Sequence, residues 1–285
     1  MVPSPTPVAP ARTLDALAAL LAGRRTAVLS GAGLSTESGI PDYRGPATRH
    51  VPRRPIQYDD FVRSEAARRR YWARASRGWP RVADARPNAG HHALARLQAA
   101  GHVAGVVTQN VDGLHQAAGT HGVVDLHGRL DRVLCLGCDG TMTRDAVQAQ
   151  IDARNPGWLD VPLAPVRTAP DGDAEIDETA AFLAPSCPAC GGALKPDVVF
   201  FGENVPKDRV ARATQHVADA DALLVVGSSL TVYSGYRFVR QADAAGMPVA
   251  IVTLGETRGH RHAAVALDAP LGEVLPALAD ALGAM

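Results

Sequence analysis

Short runs of apolar residues alternate with stretches of helical periodicity along most of the chain. The runs at residues 26–30, 103–108, 223–226 and 249–252 predict buried strands, and helices are predicted at 13–21, 88–100, 207–220 and 235–245. Strands that alternate with helices are typical of a parallel sheet covered on both faces. The pattern therefore predicts a doubly wound, Rossmann-like α/β fold. Such a sheet binds ligands at the carboxyl ends of its strands, where the strand order reverses.

Two segments interrupt this alternation. Residues 46–80 are rich in arginine and aromatic residues and predict a small helical insertion, and residues 134–194 contain all the cysteines and predict a smaller zinc-ribbon module with a long loop at 155–185. The Rossmann-like domain is then discontinuous, with segments 12–45, 81–133 and 195–285. The proline-rich residues 1–11 are predicted to be a disordered tail.

The charge balance and hydropathy exclude some classes of function. Lysine plus arginine equals aspartate plus glutamate, 29 against 29, which argues against a nucleic-acid partner. No apolar run is long enough to cross a bilayer, and the N-terminal residues lack the features of a signal peptide. We therefore expect a cytoplasmic protein with no membrane partner, and we take it to be a monomer.

The four cysteines fall into two CxxC pairs. Each CxxC turn places two thiolates on one side of a metal, and two turns complete a tetrahedron. With all four positions taken by cysteine, no position is open for water, so a zinc ion here would be structural. Four unrelated buried cysteines and a redox CxxC are the alternatives. The predicted zinc ligands are Cys135, Cys138, Cys187 and Cys190.

A glycine-rich turn directly follows the first predicted strand. Glycines at 31 and 33 would let the backbone approach a pyrophosphate, and the amides that follow could hold its charge. Thr36 breaks the GxGxxG fingerprint of dehydrogenases. A GxG by itself also fits a merely tight turn. The segment that continues through Pro41, Asp42 and Arg44 favours a ligand site.

The second predicted strand ends in polar residues. Gln109, Asn110 and Asp112 could hydrogen-bond ribose hydroxyls and a carboxamide, or could simply cap a turn. His127 lies just ahead of the first CxxC pair. Histidine is the usual general base near neutral pH, but this residue is one of ten histidines. Its position alone does not distinguish it.

Taken together, these motifs resemble the sirtuins. The resemblance is carried by GAGLSTESGIPDYRG at 31–45, TQNVDGLH at 108–115, LHG at 126–128, the two CxxC pairs, KPDVVFFGE at 195–203 and VGSSL at 226–230. These motifs occur in the family's order and span nearly the whole chain. Segments such as RRPIQ at 53–57, APDGD at 169–173 and YSGYRF at 233–238 are similar to the class II branch.

The resemblance implies a role for each matched position. It implies catalytic roles for His127, as the base, and for Asn110 and Asp112. It implies an edge that pairs with an extended substrate peptide, formed by Val198, Phe200, Phe201, Gly202 and Glu203. The implied NAD contacts are Gly31, Ala32, Gly33, Ser35, Asp42, Tyr43, Arg44, Gln109, Asn110, Asp112, Gly227, Ser228, Ser229, Thr253, Leu254, Gly255 and Leu271.

The implied reaction is the removal of acyl groups from lysine side chains of proteins, with NAD as co-substrate and acetyl as the default acyl group. The acyl oxygen would attack the nicotinamide ribose and expel nicotinamide. His127 would then take a proton from a ribose hydroxyl, and the products would be lysine, nicotinamide and O-acyl-ADP-ribose.

Two features depart from the common family pattern or extend it. Thr253 stands where related sirtuins often carry asparagine, which puts one adenosine-ribose contact in doubt. Tyr71 and Arg74 are spaced to share one helix face, and such a pair reads acidic acyl groups in some sirtuins. We therefore hypothesise a contact to a carboxylated acyl chain, with an ordinary amphipathic helix face as the alternative.

Three other functions compete with deacylation. A mono-ADP-ribosyltransferase could use the same NAD pocket with a different nucleophile. An NAD dehydrogenase is disfavoured by the missing GxGxxG fingerprint. A non-enzymatic zinc-ribbon module would leave the polar strand end and His127 without a role.

Overall fold

The structure is a computed structural model that describes residues 11–43, 48, 55–160 and 179–284. Nine strands run through this part of the chain. They are β1 (Thr26–Ser30), β2 (Val103–Thr108), β3 (Val124–Asp125), β4 (Gly128–Cys135), β5 (Thr141–Thr143), β6 (Leu194–Val198), β7 (Ala222–Val226), β8 (Val249–Val252) and β9 (Val265–Leu267).

Nine α-helices are present in the same described ranges. They are α1 (Leu14–Leu21), α2 (Tyr58–Arg63), α3 (Glu65–Asp84), α4 (Ala89–Ala99), α5 (Leu114–Ala117), α6 (Arg144–Arg154), α7 (Lys207–Ala218), α8 (Tyr233–Ala244) and α9 (Leu271–Ala281). Two short 3-10 turns, Ala32–Ser38 and His260–His262, complete the elements described. No described helix is both long and apolar enough to span a membrane.

Six strands form a parallel sheet in the order β3-β2-β1-β7-β8-β9. The predicted Rossmann-like fold is therefore confirmed, and three of the four predicted strands have the expected bounds. The chain moves outward from β1 in one direction and from β7 in the other. The strand order thus reverses between β1 and β7, which is where such a sheet binds ligands.

Apolar cores cover both faces of this sheet. The side chain of Val28 packs on one face with α1, α4 and α9, while its neighbours Ala27 and Leu29 pack on the other face with α7 and α8. This alternation is the period-2 pattern of an extended strand with two buried faces. The central strands are consequently rigid platforms for the residues at their ends.

The cysteine region forms a second, smaller sheet. Its three antiparallel strands lie in the order β5-β4-β6, and α6 packs beside them. Strands β4 and β6 cross the predicted domain boundaries at 133/134 and 194/195, and α3 crosses the boundary at Pro80. The division into domains stays a prediction.

Three further expectations need correction. Ala11, assigned to the disordered tail, pairs with Val265 beside the outermost strand. Helix α8 begins at Tyr233 and not at Gly235. The C-terminal β9 and α9 were missed, although buried Leu271, Leu275 and Leu278 have helical spacing. Residues 1–10 of the tail and 161–178 of the long loop lie outside the described residues.

Candidate active site

A cavity of about 560 Å³ lies at the carboxyl ends of β1, β2, β7 and β8. It is therefore at the point where the strand order reverses. The sequence-predicted residues that line it are Gly31, Ala32, Gly33, Ser35, Asp42, Tyr43, Gln109, Asn110, Asp112, His127, Val198, Phe200, Phe201, Gly202, Glu203, Gly227, Ser228, Ser229, Thr253, Leu254 and Leu271.

Two glycine turns meet at the floor of this cavity. The Gly33 amide donates to the Gly227 carbonyl at 2.8 Å, and a Cβ added to Gly33 would lie 2.9 Å from the Gly227 Cα. Gly227 itself has a φ of +62°, and a Cβ there would lie 2.5 Å from the Leu34 nitrogen. Side chains at these positions would force the turns apart, so the backbone surface of the floor depends on glycine.

Polar side chains at the end of β2 cross-link the turns. The Asn110 amide donates to the Ser35 hydroxyl at 3.0 Å and to the Gly31 carbonyl at 3.1 Å, and the Gln109 amide donates to the Ser228 hydroxyl at 2.8 Å. These bonds tie β2 to the turn after β1 on one side and to the turn after β7 on the other. The predicted ligand residues therefore also hold the shape of the cavity.

Asp112 is the buried carboxyl of the site. Burial raises its pKa, while hydrogen bonds from the Ser35 hydroxyl at 2.7 Å and the Leu114 amide at 2.9 Å act in the opposite direction. These two protein donors hold the carboxyl in one orientation at the cavity wall.

Each ring nitrogen of His127 has a hydrogen-bond partner. Its Nδ1 lies 3.0 Å from the Gln109 carbonyl, which can only accept, so Nδ1 carries the proton and donates. Nε2 is then the unprotonated nitrogen, and it lies 2.8 Å from the Ser234 hydroxyl, which donates to it. Burial lowers the pKa of His127 to about 4; the hydrogen bond to the Gln109 carbonyl acts in the opposite direction, and Arg209 acts in the same direction as burial. The imidazole is neutral at pH 7.

Two further buried histidines lie behind the cavity. His115 Nε2 is 2.7 Å from the Ser30 hydroxyl, which also bonds Thr108, and its ring packs edge-on against His91 at 5.3 Å. Burial lowers the pKa of His115 to about 4 and that of His91 to about 3. Both rings are neutral in the folded protein and pack as part of its core.

The predicted peptide edge is held by a buried ion pair. Lys195 Nζ lies 3.0 Å from Glu203 Oε2, and the same carboxylate accepts the Phe200 amide at 2.8 Å. The Val199 amide donates to the His127 carbonyl at 2.9 Å. The segment from β6 to Glu203 is thereby fixed beside the histidine, with Phe201 37% exposed.

Three of the predicted site residues are not among the described residues that line the cavity. Tyr71 is buried against Phe61, Trp72 and Phe200, and neither it nor Arg74 is among the described residues that line the cavity. Gly255 also lies off the described lining, and its amide bonds Asp268. Arg44 lies outside the described residues.

Sequence reasoning missed several lining residues, notably Glu37, Val232, Ser234, Glu256 and Thr257. Glu37 accepts the Gly272 amide at 3.0 Å, so it joins the first turn to the start of α9. Its sequence signal was its position within the glycine-rich motif. Ser234 lies 107 residues from its partner His127, and no spacing rule connects the two.

The four cysteine sulfurs form one cluster in which all atoms lie within 4.8 Å of one another. The Sγ atoms of Cys135 and Cys190 are 3.5 Å apart, and those of Cys138 and Cys187 are 3.8 Å apart. Tetrahedral zinc with Zn–S bonds of about 2.3 Å requires sulfurs separated by about 3.8 Å. The donor set therefore fits a structural zinc ion.

The family model described as Sir2 family matches residues 31–234 of this chain. The chain belongs to the Sir2 family. Among curated relatives of this sirtuin, NAD-dependent protein deacetylase 1 of Mycobacterium avium is 53% identical over 93% of this chain and 94% of its own length. An NAD-dependent protein deacetylase of Xanthomonas campestris is 56% identical over 82% of this chain and 80% of its own.

Solved sirtuin structures superpose on almost the whole chain. A complex of Sir2 with a p53 peptide and NAD+ is 30% identical with a TM-score of 0.76, covering 95% of this chain and 99% of that one. A complex of Sir2 with an inhibitor, 2'-O-acetyl-ADP-ribose and a deacetylated p53 peptide has a TM-score of 0.74 at 28% identity, covering 95% and 100%. The fold and family agree with the resemblance in the sequence. The class II branch stays a prediction.

The cysteine cluster of this sirtuin generates the first prediction. Cys190→Ser should remove the zinc and lower the thermal midpoint, because a hydroxyl does not replace a thiolate ligand. Metal analysis of purified protein measures the zinc content. Leu136→Ala, an exposed change between two ligands, is the matched control and should keep its zinc. Full zinc occupancy in Cys190→Ser, or none in the wild type, would contradict the assignment.

The buried histidines lead to a second prediction, which concerns how stability depends on pH. Between the folded pKa of about 4 for His115 and its ordinary value of 6.5, this histidine binds a proton in the unfolded chain and none in the folded chain. This proton uptake lowers the free energy of unfolding as pH falls, by about 1.4 kcal/mol per pH unit.

His115→Gln should therefore lose less of its stability than the wild type between pH 7 and pH 5, as measured by urea unfolding at each pH. His121→Gln, which removes an exposed histidine, is the control and should follow the wild type. Equal slopes for His115→Gln and the wild type would show that the ring can be protonated in the folded state.

Proposed function

We propose that this sirtuin is an NAD-dependent protein deacetylase that removes acetyl groups from lysine side chains. The reaction consumes NAD and one water molecule, and the products are the free lysine, nicotinamide and O-acetyl-ADP-ribose. The observation that carries the proposal is a neutral His127 whose unprotonated Nε2 faces the cavity at the strand-order reversal. The names of the curated relatives, NAD-dependent protein deacetylase, support it.

The turns that meet at Gly33 and Gly227 would hold the pyrophosphate of NAD. No side chain stands between backbone and ligand there, and the cross-links through Asn110 and Gln109 keep the two turns at a fixed separation. Ser228 and Ser229 offer hydroxyls beside them. Thr253, Leu254 and Leu271 also line the cavity and would contact the adenosine.

Asn110 and Asp112 would hold the nicotinamide ribose and carboxamide. Both are oriented by Ser35, so the two side chains form one hydrogen-bonded unit. Burial of this unit keeps water away from the ribose carbon that loses nicotinamide. This matters because water would compete with the acyl oxygen for attack on that carbon. NAD supplies the electrophilic carbon when its nicotinamide leaves.

His127 would act as the general base on a ribose hydroxyl. The Gln109 carbonyl fixes the ring in the tautomer that leaves Nε2 free to accept a proton, and the low pKa keeps that nitrogen unprotonated at pH 7. The peptide would pair with the extended segment from Val198 to Glu203, which the Lys195–Glu203 ion pair holds beside His127.

Some finer predictions lie beyond this proposal. A contact of Tyr71 and Arg74 to an acidic acyl chain draws no support from the cavity lining, since Tyr71 lies one layer behind Phe200. Acetyl is therefore the proposed acyl group. A monomeric state, a cytoplasmic location and the absence of a nucleic-acid partner stay predictions.

His127→Ala tests the proposal. The variant should lose formation of the deacetylated peptide from NAD and an acetyl-lysine peptide by at least about 100-fold, because His127 acts after nicotinamide has left and a general base contributes that much or more. Chromatography of nicotinamide and mass spectrometry of the peptide measure the reaction. His121→Ala, an exposed histidine off the described cavity wall, is the control. Near-normal turnover in His127→Ala, or a wild-type peptide that gains ADP-ribose, would overturn the proposed function.

A further inference from the structure

Ser234 contacts the nitrogen that the base must use. Its hydroxyl lies 2.8 Å from Nε2 of His127, while Nδ1 is committed to the Gln109 carbonyl at 3.0 Å. A neutral imidazole has a single lone pair, in the plane of its ring at the unprotonated nitrogen. The hydroxyl of Ser234 therefore occupies the one position from which His127 can accept a proton.

The backbone is built to bring Ser234 to this position. Helix α8 begins at Tyr233, so Ser234 lies in its first turn, and the next residue is Gly235. A Cβ on Gly235 would lie 2.4 Å from Oε1 of Gln109. The glycine thus lets the start of α8 pack directly on Gln109, whose own carbonyl orients His127. The start of α8 therefore contacts His127 through Ser234 and also contacts Gln109, which orients His127.

We infer that Ser234 is a positioning residue that holds the His127 ring with Nε2 toward the cavity and occupies its lone pair until the substrate hydroxyl replaces it. This inference rests on the proposed function, because it assigns the incoming group as the ribose hydroxyl. Both Ser234 and His127 line the cavity, so the exchange needs only a rotation of the serine side chain. The ring itself stays in place.

The contact has a consequence for proton affinity. A hydrogen bond donated to unprotonated Nε2 stabilises the neutral ring and so lowers the pKa of His127. The hydrogen bond to the Gln109 carbonyl acts in the opposite direction, and Arg209 of α7, which pairs with Asp197 of β6 at 2.5 Å, acts in the same direction as burial. The hydroxyl from α8 adds to the effects of burial and of Arg209.

Ser234→Ala tests the inference in the free enzyme, without NAD or peptide. Removing the donor should raise the pKa of His127 by about half a unit to one unit, since one neutral hydrogen bond is lost. Titration of the histidine ring nitrogens by NMR measures this pKa, with the His127 signal assigned from its absence in His127→Gln. Ser234→Thr keeps a hydroxyl and should restore the wild-type value. Tyr233→Phe changes an exposed neighbour and should leave the value unchanged.

The pH profile of deacetylated-peptide formation provides the second measurement. The acid limb of this profile should move upward in Ser234→Ala by the same amount as the pKa, and Ser234→Thr should restore its position. An unchanged His127 pKa in a folded, zinc-loaded Ser234→Ala would overturn the inference. An acid limb that stays at its wild-type position in Ser234→Ala although the His127 pKa has moved would also overturn it, because the hydroxyl would then not act on the base that the reaction uses.

The two readouts separate the inference from the proposed function. The NMR titration depends only on the contact between Ser234 and His127. If the wild type fails to release nicotinamide from NAD and an acetyl-lysine peptide, the deacetylase proposal fails while the titration still decides whether Ser234 controls the histidine.

Discussion

The close contact between two backbone turns is the constraint on which the rest of the site depends. The turn after β1 and the turn after β7 touch at Gly33 and Gly227, where a Cβ on Gly33 would lie 2.9 Å from the opposite backbone. This contact occurs where the order of the parallel strands reverses. The polar end of β2 then lies beside both turns, and Asn110 and Gln109 bond one turn each.

Burial then sets the chemistry of the side chains around these turns. The same desolvation keeps His127 neutral and raises the pKa of Asp112, so an unprotonated imidazole and an oriented carboxyl share one cavity wall. Neighbouring polar groups determine their geometry. Gln109 fixes the tautomer of His127, and Ser35 fixes Asp112. The low pKa of His127 follows mainly from the burial of its ring, and the charge of Arg209 is a smaller cause.

Much of the fold could be predicted from the sequence, because the buried parallel strands are short apolar runs with clear ends, as at residues 26–30. The zinc ligands follow from CxxC spacing alone. His127 could be singled out only through the family motifs around it, since its distance from Gln109 depends on how β2 and β4 are placed in space.

Other features left no usable local signal. The helix predicted from Gly235 begins two residues late, and no spacing rule connects Ser234 to His127, so their contact was missed. The acyl contact of Tyr71 and Arg74 stays a prediction, because helical spacing alone does not say which face of a helix is buried. Tyr71 packs into an aromatic core with Phe61 and Phe200 rather than lining the cavity.

The contact between the glycine turns is tested most directly by NAD binding to Gly33→Ala, measured by calorimetry. We expect this variant to keep its zinc and its far-ultraviolet circular dichroism but to lose detectable NAD binding, because the added methyl separates the turns. Gly246→Ala, which changes a positive-φ glycine after α8 with open space around it, controls for the general cost of the substitution. Wild-type NAD affinity in Gly33→Ala would show that the ligand does not need the two turns in contact.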